Sequence, residues 1–425
     1  MSFEKYNFKP FINKALKALD FISPKSIQEE IIPLLLANKN VVGQSETGSG
    51  KTHAFLLPIF QLVEPLGKVQ VVITSPTREL AKQIYDMAQE IAKHKENEPY
   101  KIRLFVGGAD REKELAWLNN NQPDIVIGTP GRIWDYSIKE RKLLIYQTQF
   151  FVIDEADMTL DAGFLKEVDN IAGLMPKDLN IAVFSATIPE GLKPFLNKYL
   201  AKPLYVNLAN NHPTPKNLTH YLIKTKGKDK NKLLLNLMEL INPYLAIIFC
   251  NTKIEVSEVA EFLQNNNYKV GKIHGDLPAR ERARMMRSIR DLRYTYIVAT
   301  DIAARGIDIE GISHIINYSL PENEEFYIHR SGRSSRNNLT GEVYSFYDFN
   351  DDRYLNKLEA KKIIFNNVEI RKKALVPTRE RNRRKKFVDQ MSTKNIAKMP
   401  KNIKVKPNYK KKYKAKLEKG RKNKR

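Results

Sequence analysis

Val41-Val42-Gly43-Gln44-Ser45-Glu46-Thr47-Gly48-Ser49-Gly50-Lys51-Thr52 joins a short apolar run to a glycine-rich turn that ends in Gly-Lys-Thr. Glycines in such a turn let backbone N–H groups curl around phosphate oxygens, and a following helix points its positive end at them. The spacing therefore predicts strand, phosphate loop and helix in succession, the start of an α/β fold. Lys51 is expected to reach the β- and γ-phosphates of a nucleotide, and the Thr52 hydroxyl to hold Mg²⁺. Ser45 stands where the usual pattern has Gly.

Outward from this stretch, short apolar runs alternate with longer amphipathic ones. Residues 69–74, 124–127, 150–153 and 181–184 read as strands buried on both faces, as in a parallel sheet covered by helices. Residues 203–217 are rich in Asn and Pro, including Asn210-Asn211-His212-Pro213-Thr214-Pro215, and read as a linker. A second series follows at 246–249, 296–299, 314–317 and 342–346, and Ile254, Val259, Phe262 and Leu263 are spaced for one helical face. The expected architecture is two α/β domains in tandem, 1–207 and 218–370, with a linker at 208–217 and a tail at 371–425.

Composition narrows the class. The chain has 425 residues, 42% of them apolar and 28% charged, which suits two or three domains and excludes wholesale disorder. No run approaches the roughly 18 apolar residues of a membrane helix. The opening Met1-Ser2-Phe3-Glu4-Lys5 has no apolar signal region, and the cytoplasm is the expected location. The single cysteine, Cys250, excludes an internal disulfide framework and a multi-cysteine metal site.

The net charge of +24 is concentrated at one end: residues 371–425 hold 24 Lys plus Arg against three acids, leaving the body near neutral. Such a tail has little to bury and repels itself, so it is expected to be disordered when free and to seek a polyanion. Nucleic acid is the simplest one, with the tail as a tether.

A phosphate loop also needs a carboxylate for the metal at the end of a neighbouring strand. Phe150-Phe151-Val152-Ile153 followed by Asp154-Glu155-Ala156-Asp157 supplies it. Asp154 is expected to hold Mg²⁺ and Glu155 to orient or deprotonate the attacking water.

These residues spell a DEAD box, and over nearly all of residues 1–350 the chain resembles the DEAD-box RNA helicases. Phe3 and Gln28 are similar to the family's adenine-reading elements. Pro76-Thr77-Arg78-Glu79-Leu80, Gly107-Gly108 and Thr129-Pro130-Gly131-Arg132 match its first-domain RNA contacts, and Ser185-Ala186-Thr187 its coupling motif. Phe249-Cys250-Asn251-Thr252 and His274-Gly275-Asp276 resemble RNA-side elements of the second domain. The segment from Ala299 through Thr300 to Asp308 is similar to the one that touches both RNA and ATP. His329-Arg330-Ser331-Gly332-Arg333-Ser334-Ser335-Arg336 resembles the arginine-finger motif.

The resemblance implies a tandem RecA-like fold that binds ATP, Mg²⁺ and RNA across an interdomain cleft. It implies Lys51, Asp154, Glu155, Arg333 and Arg336 at the reaction, and Phe3, Gln28, Ser45, Glu46, Thr47, Gly48, Ser49, Gly50, Thr52 and Asp308 at the nucleotide. RNA falls to Pro76, Thr77, Arg78, Gly108, Thr129, Arg132, Asn251 and Thr300; coupling falls to Asp157, Ser185, Thr187 and His329.

The expected activity is ATP-dependent local separation of short RNA duplexes or remodelling of RNA–protein complexes. An RNA-stimulated clamp with little unwinding is the alternative. Ribosome-assembly or RNA-decay proteins are the expected partners, and the short N-terminus and single basic tail resemble the bacterial cold-shock-type subgroup. Lys25, Ala279 and Ser335 depart from the family pattern, whereas Arg282 fits the final Arg of the motif that begins at His274.

Overall fold

The computed structural model describes residues 2–45, 49–200, 202–208, 217–225, 227–301, 311–334 and 340–379. Its first sheet holds β1 (Val41–Gln44), β2 (Val71–Thr74), β3 (Ile102–Phe105), β4 (Ile125–Gly128), β5 (Phe150–Ile153), β6 (Asn180–Ser185) and β7 (Leu204–Asn207). The order is β3-β4-β2-β5-β6-β1-β7, and every neighbouring pair is parallel.

The period of two in a strand explains the two cores. Val41, Val71, Ile73, Ile125, Ile127, Val152 and Phe184 point into one, with the helices Pro10–Ala18, Ser26–Leu36, Lys51–Leu62 and Arg78–Ala92. Val42, Val72, Val126, Phe151, Ile153 and Val183 point into the other, with the helices Leu165–Gly173 and Lys193–Tyr199. Each such side chain contributes roughly 1.5–3 kcal/mol on full burial.

The second sheet repeats the plan with β8 (Leu218–Lys224), β9 (Ala246–Cys250), β10 (Val270–Ile273), β11 (Tyr296–Thr300), β12 (His314–Asn317), β13 (Gly341–Tyr347), β14 (Phe365–Arg371) and β15 (Ala374–Pro377). Its order is β10-β11-β9-β12-β13-β8-β14-β15. All pairs are parallel except the closing β14–β15 hairpin. Alternate residues again feed two cores: Ile247, Phe249, Ile297 and Ile315 on one side, Ile248, Cys250, Val298 and Ile316 on the other. These are two RecA-like α/β domains.

Three details differ from the sequence reading. β7 takes up the first part of the Asn- and Pro-rich stretch, pairing with β1 instead of beginning a linker at 203. In the helix Lys253–Asn265, Ile254 is 64% exposed, and Val256, Val259, Ala260 and Leu263 fill the core face. β15 carries the second sheet past residue 370, where the tail was expected to start. Linker residues 209–216 and tail residues 380–425 lie outside the described residues. Among the described residues no helix is long and apolar enough to cross a membrane.

Candidate active site

Because neighbouring strands are parallel, their C-terminal ends share one edge, where α/β sheets collect ligands. The order of the first sheet sorts its motifs. The ends of β5, β6 and β1 carry Asp154, Ser185 and the phosphate loop; those of β3, β4 and β2 carry Gly107-Gly108, Thr129 and Pro76-Thr77-Arg78.

On the nucleotide side, Gly50 begins the helix Lys51–Leu62 at φ 98°, a left-handed conformation that glycine adopts without strain. A Cβ there would also lie 2.8 Å from Gln28 Nε2. Lys51 is buried, and its ammonium donates to the Ser45 carbonyl at 3.2 Å and to Glu155 Oε1 at 3.2 Å. Burial alone would lower its pKa, but Glu155, Asp154 and Asp157 more than offset this and hold it above the ordinary lysine value. The Ser45 and Ser49 hydroxyls share a hydrogen bond of 2.8 Å. Thr52 is the second residue of the helix. Glu46, Thr47 and Gly48 lie outside the described residues.

Gln28 is buried on the helix Ser26–Leu36. It accepts from the Lys25 N–H at 2.9 Å and donates to the Gly50 carbonyl at 3.2 Å. A glutamine amide has two hydrogens and two lone pairs, so each end keeps half its capacity. Phe3 sits in the turn Phe3–Tyr6, which Lys5 ties to Glu29 beside Gln28 at 4.0 Å. Phe3 is 5% exposed and belongs to the first core, so little of it is open for stacking.

Asp154 and Glu155 are both buried, and among the described residues Asp154 Oδ1 and Glu155 Oε2 find no hydrogen-bond partner. Burial, then the charge of Glu155, pushes the Asp154 carboxyl up to about 7. Glu155 adopts a left-handed backbone (φ 48°), which is uncommon for a non-glycine residue. Oxygen atoms left bare in a closed site suit a hard divalent cation with oxygen ligands. The donor set therefore fits Mg²⁺.

Asp157 joins the two domains. Its N–H donates to Ser185 Oγ at 3.1 Å, while Thr187 gives both its N–H and its hydroxyl to Asp157 Oδ2 at 3.0 Å. His329 Nε2, from the second domain, stands 3.4 Å from the same oxygen. Burial alone would raise the Asp157 pKa; His329, Lys51 and the Thr187 N–H override it and hold the carboxylate well below the usual range. The Ser45 N–H donates to the Ser185 carbonyl at 3.2 Å, so the phosphate loop shares this network. Arg333 is buried within the field of Glu155; burial lowers its pKa and Glu155 opposes that.

Along the β3-β4-β2 edge, Thr77 caps the helix Arg78–Ala92 by accepting from the Leu80 N–H at 3.3 Å. The Arg78 guanidinium lies over Gly107, where a Cβ would come within 2.6 Å of Nη2. Gly108 turns at φ 91°. The Thr129 N–H bonds the Phe105 carbonyl at 3.1 Å, and Arg132 donates to the Tyr136 hydroxyl at 3.1 Å. In the second domain, Asn251 and Thr300 lie at the adjacent ends of β9 and β11. Asp308 and Arg336 lie outside the described residues.

Two features escaped the sequence reading. Arg330, given no task there, is buried and bonds Asp301, Asn317, Asn251 and the Ser319 carbonyl, drawing together the ends of β9, β11 and β12. Arg282 pairs with Glu79 across the domains at 2.6 Å. Neither pairing is a spacing that a sequence displays.

Comparison with known proteins agrees with this layout. The DEAD/DEAH box helicase model matches residues 25–195 and the helicase conserved C-terminal domain model residues 229–338. The chain is 46% identical over 430 residues to the DEAD-box ATP-dependent RNA helicase CshB of Bacillus subtilis, covering 100% of this chain and 97% of that one. It is 45% identical to the CshB of Listeria monocytogenes, covering 98% and 96%. Among solved structures, S. cerevisiae Dbp5 bound to RNA and ADP BeF3 aligns with TM-score 0.78 and 30% identity, covering 87% of this chain and 95% of that one. Mss116p bound to ssRNA and AMP-PNP aligns with TM-score 0.76 and 25% identity, covering 87% and 79%. With the phosphate loop, the Asp-Glu-Ala-Asp strand end and the interdomain contacts all in register, the chain belongs to the DEAD-box family of ATP-dependent RNA helicases.

Proposed function

We propose that this protein uses ATP hydrolysis to close and open an interdomain clamp on RNA, separating short duplexes locally or remodelling RNA–protein complexes. The observation that carries the reading is the Asp157 carboxylate, which holds Thr187 of the first domain and His329 of the second within one network. Lys51 and Glu155 lie beside it and Arg333 faces them from the other domain.

Lys51 is kept charged to bind the phosphates of ATP, with Ser45, Glu46, Thr47, Gly48, Ser49 and Gly50 forming the cradle. Gln28 holds the adenine through its spare hydrogen and lone pair, and the turn that carries Phe3 lies beside it, Phe3 offering only its small open part to the base. Thr52 and Asp154 hold Mg²⁺, which, when bound, supplies positive charge against the phosphates. The bare Glu155 Oε2 accepts a hydrogen bond from the attacking water and aligns it. Arg333 and Arg336 meet the charge that grows on the γ-phosphoryl group, a contribution of roughly 10³–10⁵ in rate for such arginines. Asp308 completes the nucleotide contacts from the second domain.

RNA lies along Pro76, Thr77, Arg78, Gly108, Thr129 and Arg132, then Asn251 and Thr300. Closure brings both ligand sites together, so each favours the other. Asp157, Ser185, Thr187 and His329 transmit closure: the first three form one network inside the first domain, and the His329 contact to Asp157 forms only when the second domain meets it. The tail of residues 371–425 tethers RNA nearby, and ribosome-assembly or RNA-decay proteins are the partners such work calls for.

The test is separation of a short RNA duplex by wild type and Glu155→Gln with ATP. Wild type should release strands, and the variant should bind ATP yet fail to turn it over. Turnover by Glu155→Gln near the wild-type rate would refute the assignment.

A further inference from the structure

The helix Ala279–Arg290 carries Arg280, Arg282, Arg284, Arg287 and Arg290, and Arg293 follows it. Its inner face is engaged: Met286 and Ile289 are buried in the second domain's core, and Arg282 reaches Glu79 of the first domain. At about 100° per residue, Arg280, Arg284 and Arg287 fall within about 40° of the direction opposite Arg282. All three are exposed.

This outer face has almost no counter-charge. Glu281 is the helix's one acid, and Asp291 at its end stands by Arg293 at 3.6 Å. Among the described residues, Arg280, Arg284, Arg287 and Arg290 form no ion pair. Like charges three and four apart destabilise a helix, so the stripe costs the free protein stability. Its position suggests what relieves the repulsion. β10 is the outermost strand of its sheet, and the helix starts just beyond the end of β10, at the edge that carries Asn251 and Thr300. From there the stripe, from Arg280 to Arg287, runs down the flank for about 10 Å, enough to face roughly three phosphates of one strand.

We propose that Arg280, Arg284 and Arg287 form an auxiliary phosphate track for RNA that extends beyond the cleft. The inference rests on the RNA-binding reading above. Guanidinium groups match phosphate oxygens bidentately, and phosphate contacts position a strand without reading its sequence. The track therefore favours long RNAs over short ones, whatever their bases.

The experiment compares the full chain with the triple variant Arg280→Gln, Arg284→Gln, Arg287→Gln. Both are titrated with about 6-nucleotide and about 30-nucleotide single-stranded RNA, with a non-hydrolysable ATP analogue, across a salt series. On the long RNA, the variant should bind more weakly and its log–log salt slope should be flatter by about 2, three contacts at about 0.7 each. On the short RNA it should match wild type. Identical affinities and slopes on the long RNA would overturn the track and leave an acidic protein surface as the stripe's partner. Equal weakening on both RNAs would overturn it too, because the arginines would then act inside the cleft or through folding. Failure of wild type to bind either RNA would instead refute the RNA-clamp function itself.

Discussion

Removing Arg330 should unfold the second domain ahead of the first. Its guanidinium donates to Asp301 Oδ1 at 2.5 Å and Oδ2 at 2.7 Å, to Asn317 Oδ1 at 3.0 Å, to the Ser319 carbonyl at 2.7 Å and to Asn251 Oδ1 at 2.9 Å. That uses every hydrogen the group has to offer. Its side chain is 2% exposed and that of Asp301 16%, so Arg330→Ala strands a largely buried carboxylate. Breaking such a pair by removing one partner costs about 3–5 kcal/mol, a large share of the roughly 5–15 kcal/mol that holds a domain folded. With a urea slope of about 2 kcal/mol/M, the midpoint for the second domain should fall by roughly 2 M. The chain's two tryptophans, Trp117 and Trp134, are both in the first domain. Tryptophan fluorescence therefore follows that domain, and far-ultraviolet circular dichroism follows both. Arg330→Ala should split the dichroism curve into an early and a late transition, with the fluorescence midpoint near wild type. Dichroism curves that superimpose for the two proteins would refute the claim that Arg330 ties the ends of β9, β11 and β12 together.

Two further outcomes follow from buried and bridging groups. Glu79→Ala and Arg282→Ala should each weaken RNA binding in the presence of ATP analogue, and the double variant should cost little more than either; additive losses in this cycle would mean the pair does not couple the domains. Burial pulls His220 down to about 4 from 6.5, so below about pH 6.5 the unfolded chain binds more protons than the folded one. The stability present above that pH should therefore drop by about 2 kcal/mol between pH 7 and pH 5, and His220→Gln should flatten the fall in urea midpoints.

The strands at the centre of each sheet were legible where burial on both faces leaves unbroken apolar runs; β8, although it lies between β13 and β14, was not, because Leu218, Thr219, Tyr221 and Lys224 are only partly buried. Phe150–Ile153 and Val71–Thr74 are buried at every position. The edge strands were not. β3 exposes Arg103, β7 exposes Leu204 and Tyr205, and β10 includes the partly exposed Lys272, so none presents a continuous apolar signal. β15 sits within a lysine-rich stretch whose charge reads as tail. In the site, Lys51, Asp154 and Glu155 were legible because phosphate and metal chemistry demands those types at those strand ends. Contacts made only in the folded state were not, such as His329 with Asp157 and Arg282 with Glu79. Gln28 shows a limit of another kind. Its residue type suggests base reading, yet the same amide also bonds the Lys25 N–H and the Gly50 carbonyl.

Steady-state ATP hydrolysis tests the clamp most directly. Wild type and Arg333→Ala are assayed with no nucleic acid, with single-stranded RNA, and with single-stranded DNA of the same sequence. Arg333 is buried near Glu155 but comes from the other domain, so it completes the site only when the domains close. RNA should stimulate wild type and leave Arg333→Ala at its unstimulated rate, while DNA should stimulate neither. Equal stimulation of both proteins by RNA would contradict a reaction that depends on interdomain closure.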